Sequence, residues 1–254
     1  MFTKNSILKN IVSEEPKALS VLERLHLSTM LDKKIDDVGK ESGFDADFLL
    51  TAIKVFTADE ISVYKEFSNY PLHFILRYLQ RTHSYYITKK LPEIEQSLNH
   101  LFIHFKDTHP LLIILSNFFL IYQDDLICHI ENEEMKLFPY IHKLLSVQEK
   151  KCSYREMLHI TNGYSLNIFT KEHTDVESDL KEIRNLILQH SPTYPTPFPY
   201  RVFLTQLQAF EEDLHMHHII EEEILVPRAK IIEKELIEKR NLRQELLQQT
   251  ICYS

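Results

Sequence analysis

Residues 118–141 read FFLIYQDDLICHIENEEMKLFPYI and place His129 and Glu133 four residues apart. On a helix that spacing sends both side chains from one face, about 6 Å and one turn from each other. Leu126, Ile127, Ile130, Leu137 and Phe138 run alongside and would bury that face. An imidazole and a carboxylate turned together into a dry interior are costly unless something occupies them. A metal ion is the usual occupant, and bundle cores are where such sites are built.

The spacing recurs twice. His173 and Glu177 stand four apart in FTKEHTDVESDLKEI, as do His217 and Glu221 in DLHMHHIIEEEILVPRAK. The stretches starting at His129 and His217 agree further: each has Glu at +4 and +5, Leu at +8 and Pro at +10. This anchor selects His217/Glu221 over the overlapping His218/Glu222. Glu134 and Glu222, about 100° round the helix, read as solvent-facing or outer-sphere groups. The bland alternative is a duplicated amphipathic helix with surface ion pairs, but His and Glu buried on facing helices rarely persist without a partner.

A further histidine, His83, shares an apolar helical face with Leu76, Leu79 and Ile87. Alone it would read as a packing residue. Together with His129, Glu133, His173, Glu177, His217 and Glu221 it completes a set of nitrogen and oxygen donors from four long helices. Such a set suits a pair of mid-first-row ions, with carboxylates bridging and imidazoles terminal. Mixed ligation without thiolate points to iron, with manganese second, whereas zinc is content with four ligands.

The elements that must position these groups follow from the rest of the chain. It has 254 residues, 3 Gly, no Trp and an abundance of Leu, Ile, Glu and Lys, which favours an all-α fold. A first long helix starts at Asn69-Tyr70-Pro71 and carries Pro92 inside it, where a kink is expected. The second starts near Leu111. A capping box at Ser153 and Glu156 opens the third, which runs to about His190 past Gly163. SPTYPTPFP (191–199) is a proline-rich crossover to the fourth, from about Tyr200. The tail to 254 is charged and helical in pattern. Residues 1–60 form a small helical N-terminal domain: SEEPKALSVLERL with Ser13 as cap, a short helix over 34–41 ended by Gly43, and DADFLLTAIKVF capped by Asp45. Nothing in this part suggests chemistry, and 57–69 reads as a linker. Residues 61–254 form the metal-bearing bundle.

The net charge of −8 argues against a nucleic-acid partner. Three cysteines at 128, 152 and 252 make no paired framework, which suits a reducing compartment. MFTKNSILKN lacks the apolar region of a signal peptide. The run LLIILSNFFLIY is too short for a bilayer and is interrupted by Ser116 and Asn117, so no membrane partner and a cytoplasmic location are expected.

With these motifs in this order, the chain resembles the hemerythrin-like cation-binding (HHE) family, and in particular its Repair of Iron Centres branch. The matching pieces are THSYYITKKLPEI around His83, H-x3-EExxLFP at 129–139, KEH at 171–173 and the stretch from His217 ending LVPRA. Residues 7–56 look like that branch's short N-terminal domain. The resemblance implies a four-helix hemerythrin-like bundle holding two non-haem, carboxylate-bridged irons. Glu133 and Glu221 would bridge, and His83, His129, His173 and His217 would be terminal ligands. It further implies a role in nitrosative or oxidative stress, reacting with or sensing NO, O2 or peroxide and assisting iron–sulfur centre repair. Iron–sulfur proteins would then be clients, and a homodimer is allowed. A non-catalytic O2 or redox sensor or iron store is the other reading. Two departures stand out. The branch's Cys-Cys-Gly-Gly motif is replaced by LSTMLDKKID, and its histidine between the first two helices has no clean match. His104 or His109 therefore competes with Glu177 for that ligand position.

Overall fold

The computed structural model describes residues 2–58, 61–107, 111–149, 165–167, 180–182, 184–185 and 198–252. Among them all regular structure is helical, with one isolated bridge between Ile7 and Lys34. Most of the expected third helix, with its capping box, and His109, His173 and Glu177 lie outside the described residues.

Four short helices open the chain: α1 (Leu8–Glu14), α2 (Ala18–Arg24), α3 (Ile35–Ser42) and α4 (Ala46–Thr57). The predicted cap at Ser13 is not made, because Ser13 lies inside α1 and its hydroxyl donates back to the Lys9 carbonyl. The break falls instead just before Pro16, with α2 beginning at Ala18. Two other expectations hold. Gly43 ends α3 at φ 71°, a left-handed conformation that glycine adopts without the Cβ penalty. Asp45 caps α4 by accepting from the Asp47 and Phe48 amides, a contact worth about 1 kcal/mol. The stretch read as a linker is a 3-10 segment, Ile61–Asn69, that buries Tyr64 and Phe67 in the core.

Among the described residues, three long helical runs follow. α5 (Leu72–Tyr85) continues into α6 (Leu91–Phe105), α7 (Leu111–Asn132) into α8 (Phe138–Gln148), and α9 (Phe198–Ile220) into α10 (Val226–Cys252). In each run the two α-helices are joined by five residues of π-helix. α6 packs on α7 and α9, α8 on α10 and α5, and α2 on α4 and α5.

Their apolar faces form two clusters, one above the other. The lower joins the N-terminal helices (Leu22, Phe48, Ile53) to Leu76, Leu79, Leu137, Phe138, Ile220 and Leu225. The upper holds Tyr86, Leu98, Phe119, Leu126, Ile130, Phe203 and Phe210. Along every run the change from one cluster to the other brackets a buried polar residue: His83 between Leu79 and Tyr85, Glu133 between Ile130 and Leu137, His217 between Leu214 and Ile220. A thin polar layer therefore crosses the core, flanked on both sides by tightly buried hydrocarbon.

The second run carries the apolar stretch on into a longer helix. Leu112–Gln148 is one continuous helix containing an 18-residue window of mean hydropathy 1.3, 28% of it buried. By length and composition alone it could cross a membrane. Ser116 does not interrupt it, because its hydroxyl donates to the Leu112 carbonyl within the helix.

Candidate metal centre

The polar layer owes its geometry to three prolines. Pro92, Pro139 and Pro227 have no N–H to give to the carbonyl four residues back, and their rings would clash with it. Each run responds with a π-turn just upstream: Tyr86–Lys90, Glu133–Leu137 and Glu221–Leu225. The closing bonds run five residues back, from Leu91 to Tyr86, Phe138 to Glu133 and Val226 to Glu221. In all three the proline stands six residues after the first π residue, and that residue is buried: Tyr86, Glu133 or Glu221. The Leu-x-Pro anchor visible in the sequence is thus a device that turns a chosen side chain inward. π-turns of this kind recur at functional sites.

Five predicted donors converge there. His83 and His217 approach through their Nε2 atoms at 3.1 Å. His83 Nε2 lies 3.0 Å from Glu133 Oε2, while His129 Nε2 lies 2.8 Å from Glu133 Oε1. Glu133 thus presents one oxygen to His83 of the first run and the other to His129, one turn back on its own run. His217 Nε2 is 3.7 Å from Glu221 Oε2. His83, Glu133, His217 and Glu221 are buried; His129 is half-buried at the edge. The donor atoms of His83, Glu133 and His217 all lie within 4.8 Å of one another.

The electrostatics describe a site loaded with protons. Burial would lower His83, but hydrogen bonds to Glu133 and Glu134 outweigh it and hold the imidazole above its usual range. Burial, and then the charge of Glu133 beside it, push Glu221 well above the carboxylate range. Its carboxyl hydrogen-bonds with Glu133, so two buried carboxyl groups share the space of one charge. Burial and the neighbouring His83 drive His217 well below the histidine range. Among the described residues, the buried His217 Nδ1 and Glu221 Oε1 have no hydrogen-bond partner, an arrangement costing about 1–3 kcal/mol for each group if nothing else meets it.

These features fit a metal. Two donors each about 2.1 Å from one ion at a right angle stand about 3.0 Å apart, close to the 3.0 and 3.1 Å separations around His83 Nε2. The buried His83, Glu133 and His217 group could therefore hold a metal ion. Cations taking the place of the shared protons would satisfy both carboxylates at once.

Two groups that sequence reasoning underrated support this set. Glu134, read as outward or outer-sphere, accepts from His83 Nδ1 at 2.9 Å and from Gln80 Nε2 at 3.2 Å. A carboxylate on the far nitrogen fixes the tautomer and orientation of a ligating histidine. Tyr86 occupies in the first run the register that Glu133 and Glu221 occupy in the others. Its ring stands edge-on to His217 at 5.8 Å. The sequence signal was the shared proline spacing, concealed because His83 precedes Tyr86 by three residues rather than four. His104 lies exposed on α6 with its ring 4.5 Å from that of His100. Neither histidine belongs to the buried group. Cys128 is exposed, turned from the face that His129 presents. Against protein-family models and against curated proteins, the chain finds no match.

Proposed function

We propose that this chain is a non-haem di-iron protein with a hemerythrin-like four-helix bundle, of the Repair of Iron Centres kind, which reacts with NO, O2 or peroxide. The observation that carries the reading is Glu133, a fully buried carboxylate with one oxygen toward His83 and the other toward His129. That is the disposition a bridging ligand between two cations requires. Hard oxygen and imidazole donors without thiolate favour iron, with manganese second. His83, His129 and His217 would hold the ions terminally, Glu133 and Glu221 would bridge them, and His173 and Glu177 would complete the set from the third long helix. The irons, when bound, supply redox change and a coordination position for a small diatomic or peroxide ligand.

The chain's own residues prepare the site. Glu134 orients His83. Phe138 stacks on the His83 ring at 5.2 Å. Together with the two flanking apolar clusters it keeps bulk water from the buried donors, so charges there are screened less than at the surface.

The test is to load the protein anaerobically with ferrous iron and add NO, O2 or hydrogen peroxide in separate samples, following absorption and EPR. Ligand-dependent spectra together with turnover support a catalyst in stress defence or iron–sulfur repair. Stoichiometric binding without turnover would instead support a sensor or iron store, and iron-loaded protein inert to all three ligands would refute the reading.

A further inference from the structure

Arg24 heads the large fully buried side chains among the described residues, at 0% exposure, and the metal-bearing runs do not contain it. It comes from α2. Its Nη2 donates to both oxygens of Asp213 at 2.7 and 2.6 Å, and its Nη1 donates to the Tyr78 hydroxyl. The guanidinium lies over the Phe56 ring at 4.4 Å, with Tyr85 at 5.5 Å and Tyr86 at 6.0 Å. Asp213 accepts a further hydrogen bond from Tyr86 at 3.0 Å. Asp213 stands one turn before His217 on α9, and the Tyr86 ring stands edge-on against His217. A continuous chain of contacts thus runs from the N-terminal segment to a predicted ligand.

A latch for docking α2 would not need charge. Desolvating an arginine and an aspartate offsets most of what their attraction returns, and well-packed apolar residues would hold the helices as firmly. What an ion pair with a fixed planar fork adds is geometry. That geometry bears on an asymmetry in the centre. His83 has its far nitrogen held by Glu134, whereas His217 Nδ1 has no hydrogen-bond partner among the described residues. Among the described residues, the His217 ring is oriented by its Nε2 contact with His83 and by the edge-on ring of Tyr86. The Tyr86 ring is in turn fixed by the hydroxyl bond to Asp213.

We propose that Arg24 is a positioning residue of the metal centre: by pinning Asp213 it sets Tyr86, and Tyr86 holds the His217 ring with Nε2 turned toward His83. The N-terminal segment thereby contributes to the centre as well as adjoining it. The inference rests on the metal reading given above, but not on which metal is bound.

The experiment titrates full-length protein with Co2+, whose visible absorption reports ligand number and geometry. The wild type, Arg24→Met/Asp213→Leu and Tyr86→Phe are compared, with circular dichroism and thermal unfolding of the metal-free proteins as fold controls. The double variant removes the pair without leaving a lone buried charge. It is expected to stay helical while its Co2+ affinity falls on the order of 10-fold with an altered absorption band, the loss typical of outer-sphere partners. Tyr86→Phe keeps the ring and loses only the bond to Asp213. It is expected to shift in the same direction by a smaller factor, and it decides the matter if the double variant does not fold. Folded variants with wild-type affinity and spectrum would overturn the positioning role while leaving the centre intact. A wild type that binds no Co2+, behaving like His83→Ala, would overturn both.

Discussion

Replacing Glu133 by Gln should separate the fold from the centre. The amide has the shape of the carboxylate and can still hydrogen-bond His83 and His129, but it removes the charge that both imidazoles face at 3.0 and 2.8 Å. In the metal-free protein the change is mild, because His83 keeps Glu134 and Glu221 loses a repulsive neighbour. The metal-free Tm should stay within a few degrees of wild type. With metal the outcome differs. At a free metal concentration of 100 times Kd, a bound ion stabilises the fold by about 2.7 kcal/mol. For a chain of this size that corresponds to a rise in Tm of roughly 5–11 °C. Losing a charged ligand is set at about a 100-fold loss of affinity, the upper end of the range for outer-sphere partners. At the same concentration about 0.4 kcal/mol then remains, a rise of roughly 1 °C. Differential scanning fluorimetry with and without Fe2+ or Co2+ measures both quantities. A variant that keeps the full metal-induced rise would refute ligation by Glu133. A variant whose metal-free form unfolds would show that the carboxylate serves packing instead.

Three other outcomes follow from the same geometry. Metal should stabilise more as pH rises from 6 to 8. The fold holds protons on His83 above its ordinary 6.5 and on Glu221 well above its ordinary 4.5, so both support the metal-free fold at low pH and lose that effect as pH rises through the raised values. His217, lowered from 6.5, acts in the opposite sense and gives its full stabilisation once the pH exceeds 6.5. Metal must displace the protons on His83 and Glu221, and thermal scans showing a constant or shrinking shift across that range would contradict this. Pro139→Ala should allow the Glu133–Leu137 turn to relax toward α-helix, weakening metal binding about tenfold with little change in metal-free stability, as read by titration and thermal scan. His104→Ala should leave iron content unchanged, since His104 is exposed on α6, whereas Glu177→Ala should lower it; the reverse result by metal analysis would move the remaining ligand to the inter-helix segment.

The paired helices and their donors were legible because their signal is local. A His and a Glu one turn apart, on a face lined by Leu126, Ile130 and Leu137, must point the same way whatever the rest of the chain does. The Asp45 cap and the Gly43 terminus were legible for the same reason. What escaped is set by contacts between elements. Arg24 looks like any helix-surface arginine in SVLERL until a partner 189 residues away neutralises it. Tyr86 looks like one aromatic among several until Pro92 is seen to act as Pro139 and Pro227 do. The 57–69 stretch is short and polar enough to read as a linker, although Ile61, Tyr64 and Phe67 recur every third residue, the period of a 3-10 turn. That 3-10 path buries Tyr64 and Phe67.

The central claim is a buried two-metal centre bridged by Glu133 and Glu221. Its most direct test is the metal content of the purified full-length protein after anaerobic loading with iron, measured together with its Mössbauer spectrum. Two irons per chain, magnetically coupled in the oxidised form, are expected. One iron per chain, or two that show no coupling, would contradict the bridging role, and a folded chain that retains no metal would contradict the centre itself.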